Sequence, residues 1–269
     1  MAVCERDSAN HLQSALKSLA DQSVKADQVV VVQDGPLPVD LTDVINVFQE
    51  TLPITLVILD RNIGLGGALH VGLHHCTHEI VARMDADDIS LPHRFEVQLR
   101  HLKSGSSVDI LGSFVTEIDQ NSVPGAVRSM PIAHDAIIEN LWACPLLHPT
   151  VMYRKSPVIR VGNYDPSLRR RQDYELWFRC AHAGLKFGNV PEPLVLYRFN
   201  RETHGRQPVR LAFQQGRIGY QGTALLGLAY WKRLACFVPF FRSLLPTRLR
   251  HWIYRATRGW DPRQSAGRT

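Results

Sequence analysis

The stretch EIVARMDADDISLP, from Glu79 to Pro92, decides how the rest of the chain is interpreted. An apolar run, Ile80 to Met84, ends directly in three acids, Asp85, Asp87 and Asp88. In open α/β sheets, ligands bind just outside the carboxyl ends of the strands, which is where these acids would lie. A cation between the carboxylates would relieve their mutual repulsion. The alternative is an acidic surface turn ahead of a helix whose first position is Pro92.

Two earlier segments have the same pattern of an apolar strand followed by an acid. The run from 28 to 33 ends at Asp34, Gly35 and Pro36, and the run from 54 to 59 ends at Asp60. Helical periodicity separates the strands, in a first helix that Asp7 or Ser8 can cap and in segments at about 40–50 and 92–103. This alternation predicts an α/β domain with a mostly parallel, Rossmann-like sheet flanked by helices.

A glycine-rich segment, IGLGG, lies between the third strand and the next helix and contains Gly64, Gly66 and Gly67. Its spacing is not the dinucleotide-binding fingerprint, and no P-loop lysine follows it. Either it brings the backbone close to a ligand or a strand, or it is a simple loop-to-helix junction.

The second half of the chain is less regular. We expect a strand at 108–115, a helix at 133–142, a loop CPLLHPTVMYRKS and a basic loop at 165–171. A helix from Gln172 to Ala183 would carry Asp173 in its first turn. Two short strands, 187–190 and 194–199, should flank the turn Pro191-Glu192-Pro193.

The charge of the chain divides it into two parts. Residues 1–197 contain 17 Lys and Arg against 23 Asp and Glu, whereas residues 198–269 contain 14 against 2, within an overall net charge of +6. We therefore predict a domain over 1–205 and a basic amphipathic helical extension over 206–269. The 5 cysteines form no C-x-x-C pair, and no signal peptide precedes the first helix, which favours a reducing cytosolic setting.

Aromatic and basic side chains alternate in the extension, but no apolar run approaches the ~20 residues that span a bilayer. Peripheral binding to an anionic membrane surface is the favoured interpretation. Contact with a protein partner and binding of nucleic acid are the alternatives, and nucleic acid is the least favoured. The aromatic residues concerned are Trp231, Phe237, Phe240, Phe241, Trp252 and Tyr254.

Four segments in this order resemble the family-2 glycosyltransferases, inverting enzymes with the GT-A fold that build bacterial surface polysaccharides. They are SLADQSVKADQVVVVQDGP, ARMDADD followed by SLPHRFEVQL, LLHPTVMYRKS, and RRQDYELWFRCAHAGLKFGNVPEPLVLYR. The resemblance covers about residues 2–200 and implies a GT-A fold.

The resemblance also implies roles for individual residues. Asp34, followed by Gly35, matches the carboxylate that hydrogen-bonds the nucleotide base. Asp85 matches the acid that contacts ribose or metal, Asp87 the acid that binds the divalent cation, and Asp173 the general base. Three further residues lie where that family shapes its acceptor site and flexible loop, namely His148, Arg171 and Trp177.

The activity that the resemblance implies is transfer of a hexose from a nucleotide sugar, most simply a UDP sugar, to a lipid-linked or polysaccharide acceptor. Mn²⁺ or Mg²⁺ would be the cofactor, and the cytoplasmic face of the plasma membrane the location. The alternatives are a degenerate transferase that serves as a binding or scaffold protein, and a sugar nucleotidyltransferase. A nucleotidyltransferase would need a glycine-rich basic loop that residues 1–21 do not supply.

Two departures from the family pattern bear on activity. Only the end of a first strand is present, at residues 1–6, although a full strand is expected there. A central strand that is absent leaves backbone groups of its neighbours without partners. Gln172 stands where an acid commonly precedes the catalytic Asp, which should change the charge near the base without removing it.

Overall fold

The computed structural model describes residues 1–104, 107–199 and 208–245. Helices and strands alternate through the first part of the chain, as the sequence pattern predicts. In chain order they are β1 (Ala2–Val3), α1 (Ala9–Ala20), β2 (Val29–Asp34), α2 (Val39–Gln49), β3 (Ile54–Leu59), α3 (Leu65–His75), β4 (Ile80–Ala82), β5 (Ile89–Ser90) and α4 (Arg94–Lys103).

The second part contains longer strands and shorter helices. It comprises β6 (Ile110–Ile118), β7 (Pro124–Arg128), α5 (His134–Glu139), two 3₁₀ turns (Leu141–Ala143 and His148–Thr150), β8 (Met152–Arg154), α6 (Lys155–Arg160), α7 (Gln172–His182) and β9 (Phe187–Arg198). Three further helices follow, α8 (Val209–Leu225), α9 (Tyr230–Ala235) and α10 (Val238–Leu244).

The strands form two sheets. Strands β1, β2 and β3 are parallel, with Ala2 opposite Val32 and Val29 opposite Ile54. The second sheet has the order β4-β8-β6-β9-β5 and is mixed: β6 and β9 are parallel, and β4 and β8 are antiparallel. The α/β class is confirmed, and the parallel pairing expected for the first three strands is present.

Strand β4 departs from the expected parallel series. Its three residues pair with β8, with Val81 opposite Tyr153, and not with the first sheet. Strand β8 lies in the segment that the sequence indicated as a loop, because a three-residue apolar run shows no usable periodicity. The acidic turn therefore follows a strand at the edge of the mixed sheet.

Several predicted boundaries also need correction. Strand β9 is continuous through Pro191-Glu192-Pro193, where its pairing with β6 shifts register around Phe114. Pro92 does not open α4, which begins at Arg94. Ser8 occupies the N-cap position of α1 but makes no side-chain hydrogen bond there, and the Asp7 carboxylate accepts a hydrogen bond from the Cys4 amide at 2.8 Å.

The core consists of two large apolar clusters that the sheets separate. The first contains the buried face of α1, formed by Leu12, Ala15, Leu16 and Leu19, together with residues of β2. The second surrounds α7 and includes Trp177 and Phe187. The first cluster also contains Met84 and Ala86, which flank Asp85 in the acidic turn.

The described part of the C-terminal extension packs on the domain. Gly219 and Gly222 of α8 lie against Tyr174 and Phe178 of α7, at a separation that leaves no room for larger side chains. The Lys232 ammonium is buried, pairs with the Glu139 carboxylate and donates to the Glu139 carbonyl at 2.9 Å. Trp252, Tyr254 and the rest of the extension after residue 245 lie outside the described residues.

Candidate active site

An acidic turn between β4 and β5 brings Asp85, Asp87 and Asp88 together. One carboxylate oxygen from each lies within 4.8 Å of the other two. Asp87 is exposed to solvent, Asp85 is half-buried, and Asp88 is completely buried. The D-x-D-D spacing puts all three side chains on one short turn, which accounts for the cluster.

The buried Arg83 guanidinium forms an ion pair with the Asp85 carboxylate. Its Nε and Nη1 atoms are also buried, and neither has a hydrogen-bond partner among residues 1–104, 107–199 and 208–245. Arg94, fully buried in α4, supports this arrangement by donating to the Arg83 carbonyl at 2.8 Å and to Ser90 Oγ at 2.9 Å. The positive charge beside Asp85 is therefore held in place by a second arginine.

Asp88 is a buried structural anchor and does not cap the following helix. Its Oδ1 accepts a hydrogen bond from the Arg198 amide at 2.7 Å, whereas its Oδ2 is buried and has no partner in the described parts of the chain. The Arg198 side chain donates to the Asp87 carbonyl at 2.9 Å and to the Asp119 carbonyl at 2.6 Å. These bonds join the end of β9 to the acidic turn.

Mutual repulsion and loss of solvation affect protonation in the turn. Desolvation, followed by the charge of Asp85, raises the pKa of Asp87 to about 6. Burial, together with Asp85 and Asp87, raises the pKa of Asp88 well above its usual value. A hard divalent cation favours carboxylate oxygens and would remove the repulsion. The donor set, including the unpartnered Asp88 Oδ2, therefore fits such a cation, with Asp85 and Asp87 as its accessible ligands.

Asp34 binds a neighbouring loop at the end of β2. Its two carboxylate oxygens accept hydrogen bonds from the Ile63 amide at 2.7 Å and the Gly64 amide at 3.0 Å. Gly35 follows with a φ of +92°, and a side chain there would meet the Asn62 nitrogen at 2.7 Å. The predicted contact of Asp34 with a nucleotide base stays a prediction. In the structure, Asp34 holds the loop that borders the site.

The glycine-rich segment packs closely against the backbone of another loop of the protein. A Cβ atom at Gly66 would lie 2.1 Å from the Leu168 carbonyl oxygen, so the loop at 165–171 packs directly on the start of α3. Arg169 bonds to the Asn62 side chain, and Asn62 in turn donates to the Asp34 carbonyl at 3.1 Å. The basic loop is therefore connected to the end of β2.

Asp173 is half-buried in the first turn of α7, two residues after Arg171, which has a left-handed conformation. Burial raises the pKa of Asp173, and the Asp85 carboxylate raises it further, whereas hydrogen bonding to the Tyr174 amide and the charge of Arg171 oppose the shift. A carboxylate with a raised pKa is a better proton acceptor, which suits a general base.

His148 and Trp177 are buried in the core. His148 Nε2 is 2.9 Å from the Tyr164 hydroxyl, and its ring contacts that of Trp177 edge-on with centroids 6.1 Å apart. Burial, and then the charge of Arg83, lower the pKa of His148 well below its usual value, so its ring is neutral. Trp177 is fully buried. The acceptor-site roles of both residues stay predictions.

Sequence reasoning missed Arg83, Arg94 and Arg198, which hold the acidic turn. A local signal existed for the first, because Arg83 is two residues from Asp85 and a strand places both on one face. No local signal existed for Arg198, which is 110 residues from Asp88.

Comparison with known proteins assigns the chain to a family. Residues 1–177 match the model of "Glycosyl transferase family 2". The chain belongs to this family. A family-2 glycosyltransferase is what the order of motifs predicts, and the assignment argues against the nucleotidyltransferase alternative.

Two relatives of this glycosyltransferase are informative. It is 36% identical over 199 residues to the amylovoran biosynthesis glycosyltransferase AmsE of Erwinia amylovora, covering 74% of each chain. It is 31% identical over 258 residues to the UDP-Gal:alpha-D-GlcNAc-diphosphoundecaprenol beta-1,3-galactosyltransferase of Escherichia coli, covering 95% of this chain and 94% of the relative.

A solved structure supports the GT-A fold. S. aureus TarS 1-349 in complex with UDP-GlcNAc superposes with a TM-score of 0.69 at 16% identity, over 96% of this chain and 74% of that one. In the longer TarS structure the match spans 42% of that chain. At this identity the likeness concerns the fold alone, and the family assignment rests on the sequence matches.

Proposed function

We propose that this glycosyltransferase moves a hexose from a UDP sugar, with inversion, to a saccharide on a lipid diphosphate during the synthesis of a bacterial surface polysaccharide. The observation that carries the proposal is the cluster of Asp85, Asp87 and Asp88 carboxylates, within 4.8 Å of one another, in a chain of this family. The E. coli relative, named for a UDP-galactose donor and a diphosphoundecaprenol acceptor, supports the donor and acceptor classes.

The Asp85 and Asp87 carboxylates are the residues that would hold a divalent cation, Mn²⁺ or Mg²⁺. Such an ion would neutralise the negative charge that grows on the diphosphate leaving group as the bond to the sugar breaks. Arg83 keeps the Asp85 carboxylate oriented, and Arg198 fixes the backbone of Asp87. The protein thus pre-organises the ligands on a buried scaffold.

Asp173 is the proposed general base. It accepts the proton of the acceptor hydroxyl, whose oxygen attacks the sugar carbon from the face opposite the diphosphate, so that the configuration inverts in one displacement. Its half-buried position and raised pKa favour proton transfer. Gln172 is buried beside Asp173 and, because it is neutral, adds no further negative charge there.

Donor binding involves the loops at the end of β2. Because both Asp34 oxygens hold the Ile63–Gly64 backbone, Asp34 contributes through the shape of this loop, and its free lone pairs remain able to accept a bond from a base. Gly35 permits the close approach of the end of β2 to the Asn62 backbone.

The described extension presents an apolar surface that suits peripheral membrane binding. Tyr230, Trp231, Leu234, Phe241 and Leu244 are all more than half exposed, on or beside short helices in a basic segment. Aromatic and aliphatic side chains of this kind insert at the boundary between headgroups and acyl chains. None of the helices in the described ranges, 1–104, 107–199 and 208–245, has the length and apolar character to cross a bilayer. We propose that the exposed aromatic and aliphatic side chains hold the enzyme at the inner face of the plasma membrane.

Membrane binding can be tested without deleting the extension, because α8 covers Tyr174 and Phe178 of α7. The double variant Trp231→Ser, Phe241→Ser should lose salt-sensitive binding to liposomes containing anionic lipid, whereas the exposed control Val47→Ser should keep it. Equal sedimentation of both variants with the liposomes would refute the role of this surface.

The activity is tested by incubating the purified chain with UDP sugars, Mn²⁺ and a synthetic saccharide-diphosphate-lipid. We expect release of UDP and a product whose new linkage, by NMR, has the anomeric configuration opposite to the donor. A product with retained configuration would refute the single displacement. Absence of turnover, with the donor still bound, would favour a degenerate binding protein.

A further inference from the structure

The side-chain amide of Asn62 connects two loops of the candidate site. Its NH₂ group donates to the Asp34 carbonyl at 3.1 Å, and its oxygen accepts a hydrogen bond from the Arg169 guanidinium. The Arg169 Nη1 atom also lies 3.5 Å from the Asn62 carbonyl oxygen. Because the amide is bonded at its nitrogen and at its oxygen, its orientation is fixed. The loop after β3 and the loop before α7 are therefore joined at one residue.

The aliphatic part of Arg169 adds a packing contact to this connection. A Cβ atom at Gly64 would lie 2.8 Å from Arg169 Cγ and 3.2 Å from Arg169 Cα, so the arginine side chain rests directly on the glycine backbone. The Gly64 amide donates to the Asp34 carboxylate at 3.0 Å. Asp34 and Arg169 therefore hold the same segment, 62–64, the first through backbone amides and the second through Asn62 and the surface of Gly64.

The chain ahead of Arg169 is fastened to the start of α3. His70 Nδ1 lies 2.8 Å from the Tyr164 carbonyl oxygen, and a Cβ atom at Gly66 would lie 2.7 Å from the Asp165 carbonyl oxygen. The Leu168 amide closes a turn within the loop by donating to the Asp165 carbonyl at 3.1 Å. The segment 164–169 is thus held against the loop after β3 and the first turns of α3.

Arg169 is only four residues ahead of Asp173 in the chain. Arg170 and Arg171 separate it from α7, and Arg171 leads into the helix with a φ of +66°, a conformation that few residues other than glycine adopt. The Arg171 carbonyl accepts from the Glu175 amide at 3.1 Å, which closes the first turn of α7. Since each residue spans at most ~3.6 Å, two residues leave little length to absorb a movement of Arg169. Such a movement should displace Asp173.

We propose that Arg169 is a positioning residue that couples the loop held by Asp34 to the placement of Asp173. The inference rests on the proposed function, in which Asp173 is the general base and the loops at the end of β2 contribute to donor binding. Through Asn62 and Arg169, the shape of the donor-side loop determines the position of the base. A misplacement of ~1 Å at a reacting group can lower a rate about 10²-fold, so this connection should matter for turnover.

The coupling is tested by hydrogen exchange in the full chain without any ligand. Asp34→Asn, which loosens the donor-side loop, should speed exchange at the Leu168 and Glu175 amides at least ~3-fold. The same substitution should have no such effect in a chain that also carries Arg169→Met, because methionine keeps the aliphatic contact and removes the guanidinium. In a chain with the exposed control Arg160→Met, in α6, the effect should persist. Equal effects of Asp34→Asn with and without the Arg169 guanidinium would overturn the proposal.

Kinetics give a second measurement, which needs no substitution at the buried Asp34. Arg169→Met should lower kcat about 10-fold and leave the Kd for UDP with Mn²⁺ unchanged within ~2-fold, a division that a general loss of stability would not produce. Arg169→Lys should recover part of kcat, since an ammonium can bond to the Asn62 oxygen but lacks the planar fork of the guanidinium. A kcat equal to that of the unaltered chain, or an equal loss in Arg160→Met, would refute the coupling. If the unaltered chain transfers no sugar, the proposed function fails, and the exchange experiment still decides whether the coupling exists.

Discussion

The Arg198 amide donates a hydrogen bond of 2.7 Å to the Asp88 carboxylate, and the Arg198 side chain donates to the carbonyl of the adjacent Asp87 at 2.9 Å. One residue at the end of β9 therefore holds the backbone of the acidic turn at two points. Since its guanidinium also binds the Asp119 carbonyl and Ser122 Oγ, it joins the turn to the end of β6 as well.

Replacing this arginine should destabilise the fold. Arg198→Met leaves the backbone bond to Asp88 intact but removes three side-chain hydrogen bonds, to the Asp87 and Asp119 carbonyls and to Ser122 Oγ. We expect a loss of about 2–4 kcal/mol in the free energy of unfolding, measured with urea. Arg100→Met, on an exposed face of α4, should change it by less than ~0.5 kcal/mol. Equal values for the two variants would show that Arg198 is not an anchor.

The cation is expected to bind through Asp87. Asp87→Asn should weaken Mn²⁺ binding at least ~10-fold, because it removes a charged ligand and leaves Asp85 paired with Arg83. The exposed Asp43→Asn in α2 serves as the control with the same change of charge and should bind Mn²⁺ normally. Titration followed by electron paramagnetic resonance reports binding directly and does not depend on turnover. Unchanged binding by the Asp87 variant would remove this residue from the proposed ligand set.

The stability of the fold should depend on pH, and the raised pKa of Asp87 sets the direction of that dependence. Its pKa is raised to about 6 in the folded state from 3.8 in the unfolded chain, so the folded state binds more protons between these values. The contribution of this group to stability therefore decreases as pH rises from about 4 to 6. In EDTA, Asp87→Asn should remove this part of the pH dependence and raise Tm at pH 7. If Asp87→Asn raised Tm more at pH 4 than at pH 7, the predicted direction of the pH dependence would be wrong.

Loss of the base should affect turnover and leave donor binding intact. Asp173→Asn keeps the shape of the side chain and should lower kcat by about 10²–10⁴-fold, the usual contribution of general base catalysis. Calorimetric binding of the donor with Mn²⁺ should be unchanged, because Asp173 lies on the acceptor side of the proposed reaction. Loss of both properties would point to misfolding, which the circular dichroism spectrum of the variant would reveal.

Asp34 should act through the loop that it holds. In Asp34→Asn one oxygen can still accept a backbone hydrogen bond, whereas the new NH₂ group faces a second backbone donor. We expect a destabilisation of about 1–3 kcal/mol and faster hydrogen exchange at the Ile63 and Gly64 amides. Unchanged exchange at these two amides would mean that the bonds contribute little.

The parts of the fold with strong local signals were predictable. Strands β2 and β3 end within one residue of the expected positions, because runs of β-branched and aliphatic residues stop at Asp34 and Asp60. Strand β8 was not predictable, since its three residues gain their structure only by pairing with β4 and β6. The continuity of β9 through two prolines likewise depends on its long pairing with β6.

For the site, the spacing of residues in the sequence predicted the acidic residues but not the arginines that hold them in place. Asp85 and Asp87 are close in sequence, so any strand-to-turn geometry places them together. The contacts of Arg198 and the burial of Trp177 arise from packing between distant elements, which no local pattern encodes. The distinction between accessible ligands and the buried Asp88 also depends on β9, which covers the turn from one side.

The packing of α8 on α7 has a consequence for the geometry of the reaction. Asp173 begins the helix whose Tyr174 and Phe178 contact Gly219 and Gly222 of α8, and α8 leads to the exposed aromatic residues of α9 and α10. If those residues rest in a lipid headgroup layer, the stacked helices hold the base at a fixed elevation above it. The enzyme would then select acceptors by the distance between their terminal sugar and the bilayer, in addition to the chemistry of that sugar.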